Sequence, residues 1–524
     1  MSQSFQRLIK LKKEFFINGS FLFFLGSITS LSLPPFNYLV INFVTFSLIF
    51  IFLIKKSKIY QNKKLFFIYG FLYGFGYFIC SLYWISISLT FDENFKFLIP
   101  LAFFLIPAFL SIFFGLIFFL FVILKPKKIV SSFLVFSLIF GVVEFLRGSI
   151  LTGFPWNLIA FSFSSQIEIL SITSILGTYG FNLICISLFT SPAIIILRES
   201  KKDKFVCFFF LTLFMFFYLF GVYYKNQFNE QEKEVYDYKI RIIGSNISLD
   251  RFYSNPDPIL IIKELIEISK PAIKEKTIFV WPEGILPGIL QDEFNQFSWL
   301  FEKNFSENHL LIFGINSKIK SNSSIDFYNS FSVYDNKLNL IDFYYKINLV
   351  PFGEFLPFEN VLKKIGLKSL TNNYQSFTKG NIREFVNIDK KNFSIKILPL
   401  ICYEIIYSGK LFDNPNFDLI VNISEDGWFG NSIGPKQHFA HSIFRAIESG
   451  KYLVRSANNG IASIINPLGI IEQSVNFGQS GYVDLEEINK IQPTIFSKYG
   501  NKIFGLIILL YILLIFSFNK IKNE

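Results

Sequence analysis

Eight stretches of this chain are apolar for long enough to cross a lipid bilayer. Seven crowd the first part: Phe15–Leu33, Tyr38–Ile54, Leu65–Leu89, Phe97–Leu124, Ile129–Phe145, Ile167–Leu197 and Phe205–Tyr223. The eighth, Ile503–Phe518, lies near the C-terminus. A helix satisfies its own backbone hydrogen bonds and crosses the hydrocarbon layer in about 20 residues, so such runs are expected to be transmembrane helices. Composition agrees. Of 524 residues 52% are hydrophobic and 71 are Phe, a bias toward apolar side chains beyond that of ordinary soluble domains. Phe15–Leu33 follows a charged start as a signal peptide would, yet it is long enough to span and no small-residue cleavage site follows, so it is read as the first span.

The net charge of +11 is not spread as a nucleic-acid-binding patch, which excludes that class of partner. The cations sit in alternate loops. Arg7, Lys10, Lys12 and Lys13 precede the first span, and Lys55, Lys56, Lys58, Lys63 and Lys64 follow the second. Lys125, Lys127 and Lys128 follow the fourth, and Arg198, Lys201, Lys202 and Lys204 the sixth, while the intervening loops hold Lys96 or Arg147 alone, or no cation. Positive loops stay in the cytoplasm. The expected organisation is a membrane domain of seven helices (1–224), an extracytoplasmic domain (225–500), and a last helix with a short tail (501–524), both termini being cytoplasmic.

Between Val235 and Ser497 apolar runs shorten to strand length: Tyr238–Ile243, Thr277–Trp281, Leu310–Ile315, Ser330–Tyr334, Phe393–Cys402, Leu419–Ile423 and Ile461–Asn466. Helical patterns such as Pro258–Ser269 and His438–Tyr452 alternate with them, which indicates a layered α/β domain. Three strand ends carry chemistry. Cys402 ends the run ILPLIC; the other three cysteines, Cys80, Cys185 and Cys207, lie in apolar spans, so no disulfide framework is implied. Glu283 stands in Trp281-Pro282-Glu283-Gly284, where proline ends the strand and glycine permits a sharp turn. Lys346 follows Leu340–Tyr345 and precedes a turn holding Glu354. Taken singly, these are as compatible with a core thiol, a turn glutamate and a surface lysine. Together they offer a nucleophile, a general base and a cation for an oxyanion.

The three motifs WPEG, YYKINLVPFGEFLP and LICYE resemble those of the nitrilase (carbon–nitrogen hydrolase) superfamily. Within it, LVPFGEFLP and GWFGNSIGPKQHF (Gly427–Phe439) resemble the apolipoprotein N-acyltransferase family, as do SLPPFNY, GFGYF…YWISIS and EFLRGSILTGFPWN in the membrane part. The resemblance implies a polytopic α-helical membrane protein with an extracytoplasmic nitrilase-like αββα sandwich. It assigns Glu283 as base, Lys346 as oxyanion stabiliser and Cys402 as nucleophile. Glu354 supports the lysine, Tyr403 offers a backbone N–H, and Glu404 is a further support. The implied reaction moves an acyl chain from a membrane phospholipid, through a thioester on Cys402, to the α-amine of a diacylglyceryl-cysteine on a bacterial apolipoprotein. The implied location is the inner membrane with the catalytic domain on the periplasmic side, the protein acting as a monomer without cofactor. The alternative is a membrane-tethered amidase that gives the acyl group to water; a third reading is a transporter or receptor with an inactive external domain. The sequence departs from the family pattern at Asn348, where the family has His, and at Glu425-Asp426, where it has Asn-Asp.

Phe352 and Trp428, on apolar segments near these motifs, are candidate lipid contacts at the interface. Arg147 is a candidate for lipid phosphate, or a partner of Glu144. His438 and His441 are spaced as metal ligands are, but GWFG and GPKQ beside them offer no third ligand; they are read as helix-surface residues and no metal is expected.

Overall fold

The computed structural model describes residues 3–254, 256–320, 325–357, 376–390 and 392–520, with side chains from Lys12 onward. Arg7, Lys10 and Lys522 therefore bring no described side chain to the charge pattern. The chain divides into two compact units: one comprises the residues up to Tyr223, Asn431–Gln437 and those from Tyr499 on, and the other Tyr224–Gly430 with His438–Lys498.

The first unit is helical. Among the described residues seven helices are long and apolar enough to cross a membrane: Lys12–Ser32, Lys64–Thr90, Glu93–Leu124, Ile129–Arg147, Thr173–Leu197, Lys201–Asn229 and Lys502–Lys520. The expected span at Tyr38–Ile54 forms the helix Val40–Lys56, which at 17 residues is shorter than these seven. The expected span Ile167–Leu197 is interrupted, because Gly177 adopts φ 66°, ψ 171° inside the helix Thr173–Thr190. Close helix packing uses absent side chains: a Cβ on Gly76 would lie 2.0 Å from the carbonyl oxygen of Phe23.

Among the described residues the second unit has twelve strands: β1 Lys233–Ser245, β2 Thr277–Val280, β3 His309–Lys320, β4 Ile325–Asp335, β5 Leu340–Tyr345, β6 Val386–Lys390, β7 Phe393–Ile401, β8 Leu419–Glu425, β9 Tyr452–Asn458, β10 Ala462–Ile465, β11 Ile471–Val475 and β12 Gly481–Asn489. Their order is β5-β4-β3-β2-β1-β9-β8-β7-β6, with β12 on β1, and β10 linking β9 to β11. Gly244 and Ser245 of β1 pair with Ala457 and Asn458 of β9, which joins the halves.

Side chains alternate between the two faces of a strand, and each set has its own core. Ile240, Ile242, Ile278, Val280, Leu310 and Ile312 pack with Ile397, Leu419, Val421 and Val454 of the other half, so the two half-sheets face each other. Ile243, Phe279, Trp281, Leu311 and Phe313 point the other way and meet Ile262 and Leu265 of the helix Pro258–Ser269. The result is the layered sandwich expected from the sequence. The expected helix His438–Tyr452 forms as Gly434–Ser449 and stops there: Gly450 takes φ 67° and the chain re-enters the sheet as β9. Strands β6, β9, β11 and β12 were not foreseen.

Candidate active site

Register explains why distant residues meet. Val280 of β2 is level with Ile312 of β3, Ile315 of β3 with Ser330 of β4, and Ser330 with Tyr345 of β5. The residues just past β2 and β5, Glu283 and Lys346, are therefore carried to one level. Lys346 is fixed at both backbone ends, its N–H donating to the Asn329 carbonyl (2.9 Å) and its carbonyl accepting from Gly380 N–H (2.9 Å). The turn at Glu283 crosses β3 at Gly314, where a Cβ would stand 2.8 Å from the Glu283 Cα. Glycine is required there.

The Lys346 ammonium is 1% exposed and lies 3.3 Å from Glu283 Oε1 and 2.8 Å from Glu354 Oε1. Burial alone would push its pKa down, but the two carboxylates beside it hold it above the usual lysine range, so it is a fixed cation. Asn329 Nδ2 donates 2.8 Å bonds to the same two oxygens, Glu283 Oε1 and Glu354 Oε1. Glu283 Oε2 accepts from the backbone N–H of Glu425 at 3.1 Å, and Glu354 Oε2 from Val350 N–H at 2.7 Å.

Cys402 follows β7 directly and is part-buried, with φ 47°. A left-handed backbone is costly for a residue bearing a Cβ. Burial raises the thiol pKa well above its ordinary value, and the Glu283 charge raises it further; Lys346 opposes both. The thiol thus lies within the fields of the proposed base and of the cation.

Glu404, two residues on, is 0% exposed. Its Oε1 accepts from Tyr344 Oη (2.7 Å), Ile347 N–H (3.0 Å), Asn348 N–H (3.1 Å) and Arg383 Nη2 (2.8 Å), and its Oε2 from Ile401 N–H (3.0 Å). One carboxylate thus ties the segment after Lys346 to the residue before Cys402. Burial would raise its pKa, but the Arg383 charge and these donors lower it below the usual carboxylate range. Tyr403 is buried.

Both departures from the family pattern have partners. Asn348 Oδ1 accepts from Arg383 Nη2 at 2.8 Å. Glu425 is buried against the Arg251 guanidinium and accepts from Asn458 Nδ2 at 2.8 Å and Gly427 N–H at 2.8 Å. Burial raises the Glu425 pKa and Arg251 opposes it.

The remaining candidates separate. Phe352 is 49% exposed at the tip of a turn closed by Phe352 N–H to the Phe355 carbonyl (2.8 Å). Trp428 is half-buried, its ring 4.9 Å from that of Phe252. Arg147 is 2% exposed and faces Glu144 at 3.3 Å, donating also to the carbonyls of Phe154 (2.6 Å) and Trp156 (2.9 Å). That is the geometry of the ion-pair alternative, not of a group reaching lipid phosphate. His438 and His441 are 0% and 1% exposed, so the helix-surface expectation is corrected: they lie on the inward face of their helix. His438 Nδ1 lies 2.9 Å from Asp426 Oδ1, and no cluster of three or more His, Cys, Asp or Glu placed to hold a metal occurs among the described residues.

Asn329 and Arg383 escaped the sequence reading. Asn329 sits inside a strand, where Asn is unfavoured, and that is the one signal that marked it.

Two family models match the chain: "Apolipoprotein N-acyltransferase N-terminal domain" over residues 25–190, and "Carbon-nitrogen hydrolase" over 259–486. A curated apolipoprotein N-acyltransferase of Rhodopseudomonas palustris is 30% identical over 94% of this chain and 93% of its own. One of Rickettsia prowazekii is 31% identical over 95% and 98%. Among solved structures, the amidase of Nesterenkonia sp. AN1 aligns at 12% identity over 48% of this chain and 92% of its own, with a TM-score of 0.34.

Proposed function

The chain belongs to the apolipoprotein N-acyltransferase family, and from that premise we propose how its own residues carry out the N-acylation of lipoproteins. The observation that carries the proposal is the shared carboxylate oxygen geometry around Lys346: one cation holds Glu283 and Glu354 together beside a thiol that feels both Glu283 and Lys346.

Glu283 takes the proton of Cys402, and the sulfur attacks an ester carbonyl of a membrane phospholipid. The tetrahedral oxyanion is held by the Lys346 ammonium and the Tyr403 N–H; one such donor is worth about 10²–10³ in rate. The ester C–O bond breaks, Glu283 returns its proton to the departing oxygen, and a lysophospholipid leaves. The thioester on Cys402 is next attacked by the free α-amine of a diacylglyceryl-cysteine at the lipoprotein N-terminus. Glu283 removes the amine proton, the C–S bond breaks, Glu283 returns that proton to the departing Cys402 sulfur, and the product is an amide. Glu354 and Asn329 keep Lys346 and Glu283 in place through both halves.

The loop-charge alternation supports a catalytic domain on the periplasmic side of the inner membrane with cytoplasmic termini. Both substrates keep their acyl chains in lipid, so a site beside the outer leaflet spares them extraction into water.

Intact-mass analysis of the purified protein after incubation with phospholipid tests this. The expected result is an acyl-sized increment that disappears in Cys402→Ala and is discharged by a lipopeptide with a free diacylglyceryl-cysteine amine. An increment that survives in Cys402→Ala overturns the assignment of the nucleophile. Discharge to water at the same rate with and without the amine favours the amidase reading.

A further inference from the structure

Beside Cys402 lies a buried polar cluster, on the segment whose Glu425 N–H donates to Glu283, that the reaction above does not use. In the parallel register Ile401, the last residue of β7, pairs with Ile423 of β8, so Cys402 leaves its strand beside Ser424, which is still within β8. The Ser424 hydroxyl donates to Asp426 Oδ1 at 2.7 Å, and from its place beside Cys402 it acts to lower the thiol pKa. Asp426 is held in turn. Arg455 Nη2 lies 2.9 Å from Oδ1 and 2.8 Å from Oδ2, and His438 Nδ1 lies 2.9 Å from Oδ1. Arg455 also bonds Asn422, its register partner on β8, and its Nη2 lies 3.0 Å from His438 Nδ1. Ser424, Asp426, His438 and Arg455 are each 0% exposed.

A serine hydroxyl has one proton and two lone pairs. With the proton on Asp426, Ser424 meets the neutral thiol as an acceptor. When the thiol ionises, rotation about the Ser424 Cβ–Oγ bond carries that proton toward sulfur. Asp426 then keeps Arg455 and His438 as partners, so no buried charge is left bare. Nothing is exchanged covalently; one hydrogen bond is traded for another.

We propose that Ser424 is a further catalytic residue, a hydroxyl that turns from Asp426 to the Cys402 sulfur as the thiolate forms, and that Asp426, anchored by Arg455 and His438, is the positioning residue that holds it ready. This rests on the reading of Cys402 as the nucleophile. The charges facing the sulfur are Glu283 beyond β2, Lys346 beyond β5 and Asp426 beyond β8, with burial and the Glu283 and Asp426 charges raising its pKa and Lys346 and the Ser424 hydroxyl lowering it.

The test is the pH dependence of iodoacetamide alkylation of the full-length protein, read by mass on the Cys402 peptide, beside acyl-increment kinetics. Ser424→Ala is expected to move the alkylation midpoint up by about one pH unit and slow acylation about tenfold, since a donor to the charged form is lost. Ser424→Thr keeps the hydroxyl and is expected to keep the parent midpoint. Asp426→Asn removes a negative charge and the competitor for the Ser424 proton, so its midpoint is expected to move down. A merely structural role gives no such opposition of sign. A parent-like midpoint in Ser424→Ala, or shifts of the same sign in Ser424→Ala and Asp426→Asn, overturns the proposal; if Asp426→Asn does not fold, the Ser424 pair decides. An active Cys402→Ala would sink the nucleophile reading instead, which is a separate result.

Discussion

Asn329 and Glu283 are joined by a 2.8 Å bond from the amide Nδ2 to Oε1, and the second N–H of the same amide serves Glu354. An amide side chain from the middle of β4 thus aligns both carboxylates on Lys346. Asn329→Leu conserves volume but withdraws both donors. Hydrogen bonds to charged groups are worth about 1.5–3 kcal/mol, so acyl-increment formation is expected to slow about 10- to 100-fold. The measurement is the single-turnover rate by intact mass; a parent-like rate would show that Lys346 aligns the acids alone.

Lys346→Met is expected to fail for two separable reasons. The oxyanion loses its cation, which costs about 10²–10³ in acylation. The thiol loses a charge that lowers its pKa, so Cys402 alkylation at neutral pH slows as well. Lys346→Arg is not expected to rescue, since a planar fork does not occupy a point-charge slot that is 1% exposed. Recovery of parent turnover with Arg would count against the fitted slot.

Glu404 gives a prediction about acid stability. Its pKa is lowered in the folded protein, so the stability it contributes is present above the ordinary carboxylate pKa and is lost as pH falls through the lower folded value. Glu404→Gln leaves Arg383 without its anion, at a cost of about 3–5 kcal/mol. The variant is expected to melt well below the parent at pH 7 and to approach it as the medium is acidified below pH ~4. Thermal melts in detergent across that range check this; parallel curves at all pH values would assign the acid limb to other groups.

What the sequence revealed and what it hid divide along physical lines. Glu283, Lys346 and Cys402 were legible because each ends a strand, and strand ends are marked by proline, glycine and the close of an apolar run. Spans were legible because a bilayer demands unbroken apolar length. Asn329 was hidden because it lies mid-strand and gains its meaning only from the register that puts β4 beside β5. Arg383 and Ser424 were hidden because their neighbours, Glu404 and Cys402, belong to other segments that only the folded register brings beside them. The histidines were misplaced because period alone gives a helix face without saying what covers it; their neighbours Arg455 and Asp426 come from β9 and the end of β8.

Phe352 separates lipid use from folding. Its φ of 65° lies in the region that favours Gly and Asn, and the ring is 49% exposed, so the backbone there is strained and the side chain returns little of it through burial. Phe352→Asn keeps the turn, whose closing bonds run from Phe352 N–H to Phe355 and from Glu354 N–H to Val350, both at 2.8 Å. It is expected to stabilise by up to about 1 kcal/mol. If the ring meets the acyl region of the bilayer, the same variant loses turnover on phospholipid vesicles, about 10-fold for one buried aromatic contact of about 1.5 kcal/mol. Cys402 alkylation is expected to stay as in the parent. Trp428 makes a poorer probe, because its packing on Phe252 couples any change to the fold. Equal vesicle turnover for Phe352→Asn and the parent would remove Phe352 from the lipid-contacting surface and leave its strained turn serving Glu354 alone.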